Sequence, residues 1–237
     1  MGEFVSFPNI SELIINTVRA FPQELSEKSS SLIESTSKGV VELLYSINLL
    51  ELMRRRWIEL VVEWPEVVEL ASKLAKGVEL SEVDRSWLKE LAEASGWDAE
   101  DLAEDLRNLS TEPSARAERY RKIFEKYYEE ALRLAEKGDT QQAGEKIWGA
   151  VTALVKLHAA RKGVPIVQWD HGKLYNYVSS SVERELREPF RNLLRAAEVL
   201  HKHFYEGHLD VSAFTDHFSD ARRLIEEVRK ALGVSPR

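Results

Sequence analysis

Residues 127–158 read YYEEALRLAEKGDTQQAGEKIWGAVTALVKLH, and this segment predicts two helices joined by a tight turn. Before the turn, apolar residues recur at intervals of three and four from Tyr128 onward and charged residues occupy the opposite side, which is typical of an amphipathic helix. Gly138 stands where a helix end favours a left-handed residue. Asp139 can cap the next helix, with Gln142 at capping-box spacing. We therefore expect an antiparallel helical hairpin.

The second helix of this hairpin, predicted over residues 140–161, has the features of a central helix. It carries apolar residues on two sides, with Ile147 on one and Trp148 on the other, and so wide an apolar surface indicates burial. Gly144 and Gly149 lie within it, although glycine costs about 1 kcal/mol against alanine inside a helix. Their presence suggests that a neighbouring backbone or the indole ring lies close.

Upstream of the hairpin, the sequence predicts helices that form an acidic N-terminal region. The strongest pattern covers residues 40–70. Ser81 begins another helix with Asp84 at the capping-box position, and Asp98 is expected to cap a short helix after it. The pair formed by residues 81–109 is too acidic for a DNA reader, so we expect it to pack against the bundle or a partner.

Downstream of the hairpin, the sequence predicts three more helices. The first opens near His171, and the second carries Pro189 in its first turn, where proline is favoured. The second should end at Gly207, and the last should run from about Val211 to Gly233. Five helices with short connections predict an all-α, up-and-down helical bundle with an N-terminal helical extension.

Composition limits the class of protein. The chain has 237 residues, of which 43% are hydrophobic, enough for a sizeable core. It contains no cysteine, which excludes disulfides and thiolate metal sites. No apolar run approaches the roughly 20 residues of a membrane span, and no secretory signal is apparent, so we expect a cytoplasmic protein without a membrane partner. Charged residues at 31% and only two methionines are consistent with a thermophilic protein.

Charge divides the chain into two unlike halves. Residues 1–114 carry 11 basic and 22 acidic side chains, net −11, whereas residues 115–237 carry 22 and 18, net +4. The polar segment around Pro113 is the best linker. We therefore predict an acidic helical region at 1–112, suited to a protein partner, and a bundle at 113–237. The overall charge of −7 disfavours a nucleic acid or nucleotide partner.

Some side chains combine a polar tip with a predicted interior position. These ligand-pocket candidates are Lys146, Trp148, His171, His201 and Tyr205. Of two interpretations of these side chains, we favour the one in which their tips hydrogen-bond and fix the register of the helices. In the second interpretation, the same side chains line a small-ligand pocket between helices.

Patterns for a metal or cofactor are incomplete. Glu198 and His201 have the Glu-x-x-His spacing of di-iron bundles, but such sites need a second copy and two further glutamates. His201, His203 and His208 are close in sequence, yet residues two apart on a helix point about 200° away from each other. We therefore predict no cofactor and no metal site.

A composite pattern in the C-terminal half resembles a known family. It consists of EKGD at 136–139, QA at 142–143, EK at 145–146, WGA at 148–150, H at 171, LH at 200–201 and FYE at 204–206. Over about residues 118–232 the chain resembles the archaeal PaREP family, which is similar to the HEPN-type helical bundles, named for nucleotide binding in higher eukaryotes and prokaryotes. The resemblance implies a four-helix core with a fifth helix, commonly homodimeric, and leads us to expect a binding or assembly protein.

The wider HEPN group implies an enzymatic alternative. Its ribonuclease members carry an arginine and a histidine, with four to six residues between them, at a dimer interface. Arg195 and His201 match this spacing, although Ala196 stands where those members usually have a polar residue. In this alternative, a metal-independent ribonuclease or a nucleotidyltransferase-accessory subunit, His201 acts as general acid or base and Arg195 stabilises the phosphorane charge.

A third interpretation is a tetratricopeptide-like peptide-binding module. Residues 131–150, with their Lys-Gly-Asp turn, resemble one such repeat. No copy recurs at the spacing of about 34 residues that these arrays need, so this interpretation ranks last.

Overall fold

The computed structural model describes residues 65–109, 111–164 and 171–234. The chain divides into two compact units, Met1–Glu69 and Leu70–Arg237. The helix predicted over residues 40–70 lies almost entirely outside the described residues. The described helices, in chain order, are α1 (Pro65–Lys76), α2 (Glu82–Ser95), α3 (Ala99–Arg107), α4 (Pro113–Glu136), α5 (Thr140–Arg161), α6 (His171–Ser181), α7 (Arg184–Glu206) and α8 (Val211–Ala231).

Every regular element in these ranges is a helix, which confirms the predicted all-α bundle. Helix α4 packs along α5 over the most extensive interface, and α7 packs against both α5 and α8. None of the helices described is both long enough and apolar enough to cross a bilayer.

The chemistry of the helix ends confirms the predicted hairpin. Gly138 has a positive φ of 79°, and the Asp139 side chain accepts a hydrogen bond from the Gln142 backbone N–H at 3.2 Å. Ser81 and Asp84 form the predicted capping box at the start of α2. These local interactions satisfy backbone groups that a helix end leaves free, so they place the ends where the sequence predicts them.

One prediction about a helix start is wrong, and a second holds for the position of the helix but not for its side-chain cap. Helix α7 begins at Arg184, so Pro189 lies inside the helix rather than in its first turn. Proline at this position removes one backbone hydrogen bond but does not end the helix. Asp98 precedes α3 without capping it. Its carboxylate instead pairs with Lys146 at 3.0 Å and Lys126 at 3.1 Å, interactions with distant residues that compete with the cap.

Helix α5 is the centre of the second unit, as its wide apolar surface predicts. Of its 22 residues, 17 are buried. A Cβ atom built on Gly149 would lie 2.4 Å from the Gly96 carbonyl oxygen, and one built on Gly144 would lie 2.5 Å from the Leu200 carbonyl oxygen. These distances confirm that the two glycines admit neighbouring backbones, one beside α2 and one on α7.

Indole hydrogen bonds join α5 to α2 and to the turn between α2 and α3. Trp97 Nε1 donates to the Gly149 carbonyl at 2.9 Å, and Trp148 Nε1 donates to the Ala94 carbonyl at 3.1 Å. The expectation that residues 81–109 pack against the bundle is therefore confirmed. Whether residues 113–237 fold as a separate domain stays a prediction, because it concerns independent folding.

A buried ion pair links α3 to α5. Lys156 Nζ lies 2.8 Å from Asp105 Oδ2, and the two side chains are only 1% and 3% exposed. The ammonium group also lies 4.2 Å from the centre of the Trp97 ring, at cation–π distance. A buried charge is tolerated only when it is paired, so each partner depends on the other.

Gly149→Ala should destabilise the protein. Alanine normally stabilises a helix interior by about 1 kcal/mol relative to glycine. Here the added methyl group meets a backbone oxygen, so we expect the free energy of unfolding to fall by about 1–3 kcal/mol. Urea unfolding measures the change, and a rise in stability would show that the two backbones are not in contact.

Asp105→Asn should leave the Lys156 ammonium buried without a counter-charge. We expect a loss of about 3–5 kcal/mol in the free energy of unfolding. Replacing both partners, Asp105→Leu with Lys156→Met, should recover most of that loss because no charge stays buried. A double variant as unstable as the single one would contradict this account.

Candidate functional site

Four of the five pocket candidates meet in one place, which we call the ring cluster: Trp148, His171, His201 and Tyr205. The centre of the Trp148 ring lies 4.4 Å from that of His171 and 5.0 Å from that of His201. The two imidazole centres are 5.2 Å apart, and Tyr205 packs edge-on against His201 at 5.1 Å. The fifth candidate, Lys146, instead ion-pairs with Asp98 and with Glu130, at 3.0 and 3.2 Å.

Helical spacing explains how three helices assemble this site. Residues three or four apart lie on the same face of a helix. Helix α7 therefore presents Glu198, His201 and Tyr205 together, and α5 presents Glu145 and Trp148 together. Helix α6 contributes His171, its first residue.

Each imidazole of the ring cluster is held by a glutamate. His201 Nδ1 lies 2.6 Å from Glu145 Oε2, and His171 Nδ1 lies 2.8 Å from Glu198 Oε1. An ionised carboxylate only accepts hydrogen bonds, so Nδ1 is the donor in each pair. The other ring nitrogen, Nε2, then carries a lone pair when the imidazole is neutral.

The Nε2 atoms of the two imidazoles are not fully buried. Among the residues that the structure describes, none hydrogen-bonds Nε2 of His171 or of His201. In the same residues, Arg116 Nε is the only fully buried side-chain polar atom without a partner. The two Nε2 atoms are therefore not sealed in the core, even though His201 as a whole is only 5% exposed.

One side of the ring cluster, at Trp148, is buried, and the other side, at Tyr205, is exposed; we call the exposed side the rim. Trp148 is fully buried, whereas Tyr205 is 57% exposed. The His171 side chain is 33% exposed. A ligand approaching from solvent would therefore meet Tyr205 and the two imidazoles before the indole.

Carboxylates dominate the electrostatics of the site. Burial raises the pKa of Glu198, but hydrogen bonds from His171 and Tyr175 outweigh it and hold the pKa below its usual value. The pKa of Tyr205 is raised by burial and by the negative charges of Glu145 and Glu93. The negative charges of Glu145 and Glu93 therefore act at the exposed side of the site, where Tyr205 lies.

Arg195 and His201, the predicted catalytic pair, both lie on α7 but in different surroundings. Arg195 is exposed, while His201 is buried against Trp148. Burial and Glu198 raise the pKa of Tyr175, and the positive charge of Arg195 opposes this rise, so the arginine acts on the rim of the site. A catalytic role for the pair stays a prediction.

His203 lies in different surroundings from His201. Its Nε2 lies 3.1 Å from Thr140 Oγ1, and its Nδ1 accepts a hydrogen bond from the Leu209 backbone N–H at 3.0 Å. His208 contacts the His203 ring at a centre distance of 5.6 Å. Over the ranges described, no three His, Asp or Glu side chains are grouped so that they could hold a metal ion.

Glu145, Glu198 and Tyr175 are the site residues that the sequence analysis did not assign to the pocket. From the sequence, Glu198 was identified only as part of an incomplete di-iron pattern. The spacing of three residues that separates Glu145 from Trp148 and Glu198 from His201 placed both carboxylates on the right faces. It could not show which imidazole each carboxylate would hold.

Residues 119–225 match the model of the Archaeal PaREP1/PaREP8 family, and this match confirms the resemblance of the C-terminal half. The matched segment contains the whole ring cluster. No curated protein and no solved structure matches the chain.

Stability should decrease as the pH falls below about 6.5, before most carboxylates titrate. Burial and the nearby His208 lower the pKa of His203, and burial lowers the pKa of His158. The unfolded chain therefore takes up protons more readily than the folded protein in this range, which favours unfolding. Protonation of His203 at Nδ1 would also break its bond to Leu209.

Urea unfolding at about pH 7.5 and about pH 5.5 tests this expectation. His203→Gln should lose less stability between the two conditions than the wild type, because the unfolded chain no longer gains that proton. His217→Gln, on α8, is the matched control. Equal losses in the two variants would contradict the assignment to His203.

Proposed function

We propose that this protein is a homodimeric binding protein of the PaREP type and that it binds a small planar ligand at the ring cluster. The observation that carries the proposal is that Nε2 of His171 and Nε2 of His201 have no protein partner among the described residues. The two ring centres lie 5.2 Å apart, and a glutamate holds each ring in orientation. Ligand sites between the helices of bundles have this form, with apolar walls and a few placed polar groups.

Comparison with the other buried histidines supports a binding role. His158 Nδ1 lies 2.8 Å from the Tyr177 hydroxyl, and its Nε2 lies 2.8 Å from Glu183 Oε2. His203 likewise has a partner for each ring nitrogen. A histidine that serves only to fix helix register uses both nitrogens in this way. His171 and His201 leave one nitrogen each for another molecule.

The wider setting of the proposal follows from the fold and the family. Helices α4, α5, α7 and α8 supply the four long helices of a HEPN-like core, and α6 is the short additional helix. The homodimer follows from the family resemblance. We place the protein in the cytoplasm, with the acidic N-terminal region as the surface for a protein partner.

Ligand-observed NMR on the full chain tests the binding role. The probes are adenosine, guanosine, cytidine and indole, which share a planar ring and differ in hydrogen-bonding groups. We expect at least one to bind. Tyr205→Ala should weaken that binding by about tenfold, a loss of about 1.4 kcal/mol, because it removes the exposed aromatic wall.

Trp87→Ala is the matched control, since Trp87 is a partly exposed aromatic residue on α2 outside the ring cluster. Equal loss of binding in the two variants would place the ligand elsewhere. Absence of binding by all four probes and by a planar cation would contradict the proposed role.

A ribonuclease is the second candidate, because a carboxylate-held imidazole with an accessible Nε2 is also the arrangement of a general base. The same preparations, sized to establish whether a dimer forms, can be incubated with mixed RNA. Arg195→Ala and His201→Gln are the variants to compare. Cleavage by a wild-type dimer that both variants lose would replace the binding role with catalysis.

A further inference from the structure

We propose that the ligand of the ring cluster is a planar organic cation that donates hydrogen bonds, of the guanidinium type. This inference rests on the proposed binding function and specifies the chemical class of its ligand. Three properties of the site lead to it: its charge, the direction of its hydrogen bonds and its exposed aromatic wall.

The charge of the site is negative. Each glutamate–imidazole pair carries one negative charge when the carboxylate is ionised and the imidazole is neutral. Glu145 and Glu198 supply two such charges, and Glu93 is close enough to act on Tyr205. Arg195 is the basic group that acts on the rim, through Tyr175. A phosphate or carboxylate ligand would meet repulsion here, whereas a cation is attracted.

The hydrogen-bonding groups of the site are acceptors. Because Nδ1 of each imidazole donates to its glutamate, Nε2 of each neutral ring can only accept a hydrogen bond. A ligand that satisfies both must donate at least twice from nearby positions. A guanidinium group presents five N–H donors in one plane and has no acceptor. An ammonium group also donates, but it is compact, strongly hydrated and not planar.

The exposed wall of the site suits a delocalised cation. Tyr205 is 57% exposed and stands edge-on to His201, with an angle of 84° between the two rings. The two rings are therefore nearly perpendicular and do not stack on each other. Guanidinium groups stack on aromatic faces and gain cation–π attraction there.

A metal ion fits the site less well. The two Nε2 atoms would supply two ligands, and no cluster of three ligating side chains occurs in the helices described. Zinc sites in proteins use three or four protein ligands. A planar cation needs only the two acceptors, the negative charge and the aromatic wall.

Titrations of the full chain, followed by NMR, test the inference with four probes: butylguanidinium, butylammonium, neutral butylurea and zinc chloride. We expect butylguanidinium to bind at least about tenfold more tightly than butylurea, which has similar shape but no charge, and more tightly than butylammonium. Glu198→Gln should reduce butylguanidinium affinity by about tenfold and butylurea affinity by clearly less, because the glutamine keeps an acceptor oxygen for His171 but removes the charge.

Glu188→Gln is the matched control, since Glu188 is an exposed glutamate on the same helix. The control should bind butylguanidinium as the wild type does, and the thermal midpoint of each variant shows that it is folded. Equal effects of the two substitutions would mean that overall charge, rather than this site, attracts the cation.

The remaining outcomes separate the inference from the function on which it rests. If butylurea or the neutral nucleosides bind at the ring cluster and butylguanidinium does not, the cation assignment is wrong and the binding site stands. If zinc alone binds, the cation assignment is likewise wrong. If none of the probes binds, the binding function itself is contradicted.

Discussion

Contact between backbones at Gly144 and Gly149 determines how closely other helices approach α5, and the rest of the second unit depends on this approach. Any side chain larger than glycine would push away α7 at one position and the end of α2 at the other. Because α7 and the end of α2 both pack directly against its backbone, α5 is buried along most of its length. The penalty of glycine inside a helix is offset by the packing that it allows.

The same enclosure explains why polar groups are found inside the bundle. A helix buried on nearly every side must include some of its polar residues in the core, and each of these needs a partner. Lys156 finds Asp105, and Glu145 finds His201. The first pair is closed on all sides and is structural. The second belongs to the ring cluster, where Nε2 of His201 has no protein partner among the described residues.

The sequence predicts the hairpin and the centrality of α5 because both follow from local chemistry. A left-handed glycine and an aspartate cap place the turn at 138–139, and apolar periodicity identifies the buried helix. The ring cluster was predictable in part, because polar tips on apolar faces single out Trp148, His171, His201 and Tyr205. Its carboxylates were not, since Glu145 and Glu198 lie 56 and 27 residues from the imidazoles that they hold. Periodicity assigns a residue to a face but does not identify its partner across helices. The failed cap at Asp98 has the same origin, because lysines on two other helices compete for its carboxylate.

The most direct test of this account is the protonation of the two imidazoles in the free protein, measured by long-range ¹H–¹⁵N NMR correlations at neutral pH. The account predicts that His171 and His201 both carry the proton on Nδ1 and leave Nε2 as an unprotonated acceptor, whereas His203 carries it on Nε2. If His171 and His201 instead carry their protons on Nε2, the glutamates do not orient them and the ring cluster loses the two acceptors on which its proposed role depends.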